Sequence, residues 1–248
     1  SVNLGKDVAV IGEYAFAGAP VETFALDAAN TAFKVGGNGQ YLLSNDGKQL
    51  LVVSSAVKGE FKLDGSVTSV AAGAFSGNTG LTSISLPGVT SVGEHAFAGC
   101  SHLKSVTLGD LTEIGAYAFA NTAITEAPSF ASLKAIGEAA FMGTKLTSVT
   151  IPDGMTVGNR AFYECKALAS VTIGKDAVIG NAAFALNSNS NYERANEEIS
   201  KGDLIYYFIY TSPLTNLTIG DNVTLGREAF MGAAKLETLT LGDNVTVG

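Results

Sequence analysis

The sequence predicts an α/β solenoid. It is a right-handed coil of about eight 22-residue units, with a parallel sheet on the concave face and short helical or 3-10 turns on the other. Three observations predict it. The dipeptide Ala-Phe recurs, its phenylalanines being Phe16, Phe75, Phe97, Phe119, Phe141, Phe162, Phe184 and Phe230, and five of the seven intervals are 21 or 22 residues. An alternating apolar run follows most of these pairs about six residues later. Gly or Pro closes each run.

Each element of the unit has a physical reason. The runs are "LTSISL" (81–86), "LKSVTL" (103–108), "LTSVTI" (146–151), "LASVTI" (168–173), "LTNLTI" (214–219) and "LETLTL" (236–241). Apolar and polar residues alternate at their ends, the pattern of a half-buried strand. Pro87, Gly109, Pro152, Gly174, Gly220 and Gly242 then stop the strand and start a turn. A second short apolar segment such as "VTSVG" leads to the Ala-Phe pair, which points inward from a tight turn. One unit cannot bury its own apolar side, whereas stacked units can, with like residues forming ladders.

The unit "LTSISLPGVTSVGEHAFAGC" (81–100) and its copies resemble the leucine-rich repeat subtype of BspA-like bacterial surface proteins. The resemblance covers most of the chain. It implies a leucine-rich repeat solenoid and a non-catalytic protein-interaction module of a cell-surface or secreted bacterial protein. Adhesion to a host matrix protein or another cell-surface protein, or to a glycan, is the implied role. One departure stands out. The Asn expected eight residues after the first Leu is replaced by Val89, Leu111, Gly154 and Asp176, and is kept only at Asn222 and Asn244. A continuous buried Asn ladder is therefore not expected.

Three irregularities interrupt the array. The fourth unit reads "ITEAPSF" (124–130), and Pro128 cannot donate to a ladder, so a bulge or a shortened strand is expected there. A first insertion spans about residues 28–65 and contains "QYLLSNDGKQLLVV", where Asp-Gly between apolar runs signals a β-hairpin. A second spans about 187–213 and carries Tyr206, Tyr207, Phe208 and Tyr210. Those aromatics either pack the loop onto the solenoid or form a contact surface for a protein or a sugar. The whole, residues 1–248, reads as a single solenoid domain, opening inside a strand and stopping before another Ala-Phe turn, as a fragment of a longer protein would.

Outward-facing strand residues are the first candidates for binding. Ser105 and Thr107, Ser148 and Thr150, Ser170 and Thr172, and Asn216 and Thr218 would form two ladders of small polar side chains along the sheet. The alternative is that Thr suits strands and Ser suits a solvated face. The stretch "SVGEHAFAGCSH" (91–102) gathers His95, Cys100 and His102 beside Glu94 and looks like a metal or catalytic cluster. Alignment of the units argues otherwise. Cys100 and Cys165 fill a slot three residues after Phe that elsewhere holds small residues, and His95 fills a position that elsewhere holds Tyr, Gly, Ala, Arg or Glu. The two cysteines lie three coils apart, about 15 Å, too far for a disulfide. No nucleophile, base and orienting group converge, so no enzyme and no cofactor is expected. A net charge of −8 excludes a phosphate-neutralising face, hence no nucleic acid. No apolar run approaches the roughly 20 residues of a membrane span, so no direct membrane insertion is expected.

Overall fold

The computed structural model describes residues 1–186 and 212–248. The chain is a β-solenoid of ten coils, each contributing a long strand or its irregular substitute. The long strands are Val2–Leu4, Phe24–Leu26, Gly59–Lys62, Leu81–Leu86, Ser105–Leu108, Ser148–Ile151, Ser170–Ile173, Asn216–Ile219 and Thr238–Leu241. Neighbours pair in parallel, and like residues meet: Ser148 with Ser170, Val149 with Val171, Thr150 with Thr172, Ile151 with Ile173. The next pair continues the register, with Val171 opposite Leu217 and Thr172 opposite Thr218. Buried and exposed residues alternate along these strands, which is what the apolar periodicity requires.

A second sheet is built from two-residue strands, one per coil, from Ser69–Val70 through Thr246–Val247. With the hairpin region it forms one sheet of eleven strands. From Ser91–Val92 onward, glycine ends each of these short strands for a steric reason. A Cβ on Gly137 would lie 2.5 Å from the carbonyl carbon of Gly115 in the preceding coil. The coils approach closely there, and only a residue without a side chain fits.

The Ala-Phe segments are hydrogen-bonded turns; among the described residues no α- or 3-10 helix forms. The backbone explains the difference from the expected helical turns. The residue two before each Phe has positive φ: Tyr14, Gly73, His95, Tyr117, Ala139, Arg160, Ala182 and Glu228 lie between +50° and +68°. A left-handed residue interrupts any right-handed helix. The amides instead alternate between two partners. His95, Phe97 and Gly99 donate to Ala116, Ala118 and Ala120 of the next coil, at 2.9, 2.8 and 2.8 Å. Ala96, Ala98 and Cys100 donate three residues back, to Gly93, His95 and Phe97. The turns thus join the coils as a strand would, while projecting Ala and Phe inward.

That projection builds the core. Phe75, Phe97, Phe119, Phe141, Phe162, Phe184 and Phe230 stack ring on ring, with centroids 4.8–5.3 Å apart. Offset or parallel aromatic pairs at this spacing add to the burial energy of each ring. The stack passes from Phe184 to Phe230 at 5.2 Å, so the insertion between them leaves the core undisturbed.

Two expectations about the irregular parts are revised. The 59 residues from Phe16 to Phe75 hold a whole extra coil, so the insertion within them is about 15 residues rather than 37. Phe24–Leu26 is that coil's strand, paired in register with Val2–Leu4, and Val53 takes the Phe position, donating to Ala74 at 2.9 Å. The inserted part contains the antiparallel strands Phe33–Gly36 and Tyr41–Ser44, and Tyr41–Ser44 pairs in turn with Gln49–Val53. The Asp46-Gly47 turn closes the second hairpin, with Gly47 at φ +77°. Since "VVSSAV" forms no projecting turn, the first coil's turn descends onto the third, and the Tyr14 ring lies over Gly73. In the fourth regular unit the strand is absent altogether. The long-strand ladder therefore breaks there, with Gly59–Lys62, Leu81–Leu86 and Ser105–Leu108 on one side and the four strands from Ser148–Ile151 onward on the other, while Val2–Leu4 and Phe24–Leu26 form a separate pair. The short-strand sheet bridges the break, with Ile114 opposite Ile136.

Candidate binding surface

The outward residues of the long strands stand in columns across the coils. Ser148, Ser170 and Asn216 make one column, extended by Thr238, and Thr150, Thr172 and Thr218 a second, extended by Thr240. Ser170 is half-buried and the other five are exposed. Columns repeat at the strand spacing of about 4.8 Å. On the other piece of the ladder Ser105 and Thr107 are exposed and face Ser83 and Ser85. Lys62 and Glu60 follow there as an exposed ion pair at 2.8 Å. The face is polar and carries little charge between Ser148 and Thr218.

The break between the two pieces is a notch of about 250 Å³ lined by Glu126, Pro128, Phe130, Ser148 and Thr150. Hydrogen bonds across it stop early: Lys145 donates to Ile124 at 3.1 Å and Thr147 to Thr125 at 3.4 Å. Counting back 22 residues from Thr150 reaches Pro128, which has no N–H to continue the ladder. Phe130 turns inward instead and packs on Phe141 at 5.6 Å. Pro128 was visible in the sequence, whereas the inward packing of Phe130 was not.

Tyr206, Tyr207, Phe208 and Tyr210 lie outside the described residues. The anchors of their insertion are described. Leu186 donates to Met231 at 3.1 Å and Ser212 donates to Gly232 at 2.8 Å. The chain re-enters the solenoid beside the next coil's Ala-Phe turn, four residues before Asn216.

The suspected chemical cluster is dispersed. The Cys100 thiol is fully buried and donates to the Phe75 carbonyl at 3.1 Å. His102 sits on the surface with Nδ1 2.8 Å from the Thr79 carbonyl oxygen. The His95 ring stacks on Tyr117 at 4.6 Å and meets the edge of Tyr14 at 5.8 Å, with Glu94 3.6 Å away. Among the described residues no three His, Cys, Asp or Glu side chains gather as a metal site. Cys165 is likewise buried, donating to Phe141 at 3.2 Å and touching Thr144 Oγ1. Burial pushes the Cys100 thiol up to about 12 and the Cys165 thiol up to about 11. Neither is a thiolate near neutral pH, and neither is reached by solvent.

A family model described as the BspA type leucine rich repeat region matches residues 68–191 and 204–247, in six copies. The chain belongs to the BspA-type leucine-rich repeat family. Solved structures of similar fold include a leucine-rich repeat protein from Bacteroides ovatus (20% identity, TM-score 0.55, covering 87% of this chain and 55% of that one). A Treponema pallidum leucine-rich repeat protein is 21% identical with TM-score 0.55, over 85% and 89% of the two chains. The pneumococcal vaccine antigen PcpA is 17% identical with TM-score 0.52, over 94% of this chain and 45% of its own. Among curated proteins, none matches. The chain thus spans about half the length of two of these relatives. BspA-type repeats are in general a protein-interaction fold, and the short insert-and-stack unit explains why. It fixes columns of side chains on a rigid face while leaving their identity free. Among the described residues no helix is long and apolar enough to cross a membrane.

Proposed function

We propose that this BspA-type segment is a non-catalytic interaction module of a bacterial cell-surface or secreted protein, serving adhesion to a host or microbial protein. The observation that carries the reading is the pair of in-register columns Ser148–Ser170–Asn216 and Thr150–Thr172–Thr218. They run from the notch at Pro128 across the coils that precede and follow the aromatic insertion. Shallow hydroxyls alone make a weak contact, and energetic anchors at interfaces are commonly aromatic. The columns would therefore set register while Tyr206, Tyr207, Phe208 and Tyr210 supply the anchors. Each coil adds a further contact of the same kind, so affinity grows by multivalency along the face.

The experiment is a binding screen of the intact chain and a form lacking residues 187–211 against immobilised extracellular-matrix proteins and glycans. Saturable binding of the intact chain to a protein, lost on deletion while the melting temperature holds, is the expected result. A chain that binds nothing in either form would overturn the reading in favour of a structural spacer presenting other domains. Binding that survives the deletion unchanged would remove the aromatic anchors from the account.

A further inference from the structure

A second cavity lies away from the long-strand face, where the short strands Thr156–Val157, Val178–Ile179 and Thr224–Leu225 run into the Ala-Phe turns. It holds about 240 Å³, and its walls are Glu138, Arg160, Arg227 and Glu228 over a floor at Ala182. The coil geometry makes it. Arg160, Ala182 and Glu228 occupy successive left-handed positions of one column, each with φ between +53° and +59°. Arg160 donates its backbone N–H to Asn181, and Ala182 to Arg227, each at 2.9 Å, so the three follow one another coil by coil. Arg160 and Glu228 are therefore two coil spacings apart, about 10 Å, with only a methyl group between them.

The adjacent column holds Asn159 and Asn181. Each uses its Oδ1 to accept a backbone N–H from the next coil, from Asn181 and from Arg227, both at 2.9 Å. The oxygens are committed, and each NH2 group remains as a donor. The chain has three arginines in all and a net charge of −8, yet two of the three line this one cavity. Guanidinium groups present a planar fork that matches a carboxylate in two parallel hydrogen bonds, which an ammonium cannot do. The two glutamates oppose a multiply charged anion and offer acceptors to hydroxyl groups; Glu228 pairs with Arg227 Nε at 3.6 Å, which leaves the terminal NH2 groups of that guanidinium for a carboxylate. Ala182 is the one apolar residue of the lining, so nothing there would hold a peptide side chain.

We propose that this cavity binds an acidic monosaccharide unit, its carboxylate held by Arg160 and Arg227 and its hydroxyls by Asn159, Asn181, Glu138 and Glu228. The site is separate from the polar columns and goes beyond the adhesive reading.

The test is a titration of the 15N-labelled chain with sodium glucuronate, alongside glucose, sodium phosphate and N-acetylalanine as a peptide-terminus probe. Expected are saturable amide shifts at Arg160, Ala182, Arg227 and Glu228 with glucuronate, and much weaker ones with the three controls. R160Q and R227Q each weaken glucuronate binding about tenfold, as loss of a charge-assisted pair would. R160K, which keeps the charge and loses the fork, falls between. Thr150→Arg, on the other face, leaves the titration unchanged. Absence of saturable shifts, equal binding of phosphate or N-acetylalanine, or unchanged affinity in both glutamine variants would overturn the proposal. All these side chains are at the surface, and an unchanged circular dichroism melt checks that the variants fold.

Discussion

Replacing Phe119 with alanine removes an interior ring of the stack and tests how the coils are held. Phe119 is fully buried, with Phe97 at 5.1 Å on one side and Phe141 at 5.2 Å on the other. Phe-to-Ala changes in cores cost about 3–5 kcal/mol, depending on how far the surroundings collapse. Collapse is restricted here. Phe119 donates to Ala140 at 2.7 Å and Phe97 donates to Ala118 at 2.8 Å, so backbone bonds on both sides keep the coils at their spacing. The cost should lie near the top of that range, about 4–5 kcal/mol. Phe230 is the control. It is half-buried and, among the described residues, stacks only on Phe184, at 5.2 Å, so Phe230→Ala should cost about 2 kcal/mol. Urea unfolding followed by circular dichroism measures both, with the transition slope checked for each variant. Equal costs at the two positions, or less than about 2 kcal/mol at Phe119, would refute the argument that a backbone-fixed ladder prevents the space from closing.

Gly137→Ala should destabilise by about 1–3 kcal/mol in the same assay, since its Cβ would lie 2.5 Å from backbone that is itself hydrogen-bonded. Ala182→Gly should act oppositely. Relief of the left-handed cost, about 1–2 kcal/mol, exceeds the added unfolded-state entropy of glycine, about 0.4–1 kcal/mol. A rise in melting temperature of up to about 4 °C is expected. The thiols give a pH dependence. Burial raises Cys100 from 9.0 to about 12 and Cys165 to about 11, so the folded state keeps both neutral while the unfolded chain ionises near 9. Their contribution is complete below pH 9 and is lost as pH rises from 9 through 11 to 12. Melts at pH 8 and pH 10 should differ more for the natural chain than for C100A/C165A, and a thiol reagent at pH 8 should label the folded chain only as fast as it unfolds.

How much of this was legible in the sequence differs from residue to residue. The Ala-Phe interval and the alternation in "LTSVTI" carried the coil, its register and the burial of Phe and Leu, because a repeat forces like residues to meet. The form of the turns was not legible. His95, Ala139 and Arg160 share a left-handed backbone, but their side chains have nothing in common, and none is the Gly or Asn that usually betrays such a position. The extra coil was hidden for a related reason. Val53 stands where Phe is expected, so counting phenylalanines merged a whole turn of the solenoid with the hairpin. At the candidate surface the polar columns followed from strand alternation. The inward packing of Phe130 beside the notch did not. The two arginines of the second cavity meet only because Phe184 and Phe230 stack across the 46-residue interval, which brings Arg227 beside Asn181.

The central claim is that the polar columns of the long strands are the surface through which this BspA-type segment engages a protein. The direct measurement is the affinity of an identified protein ligand for the intact chain and for Thr150→Arg, Thr172→Arg and Thr218→Arg. All three threonines are exposed and in register, so each arginine should crowd the interface without disturbing the core. A loss of about tenfold or more in affinity is expected for at least the central variant, Thr172→Arg, with unchanged melting temperature. Affinity equal to that of the natural chain in all three variants would contradict it.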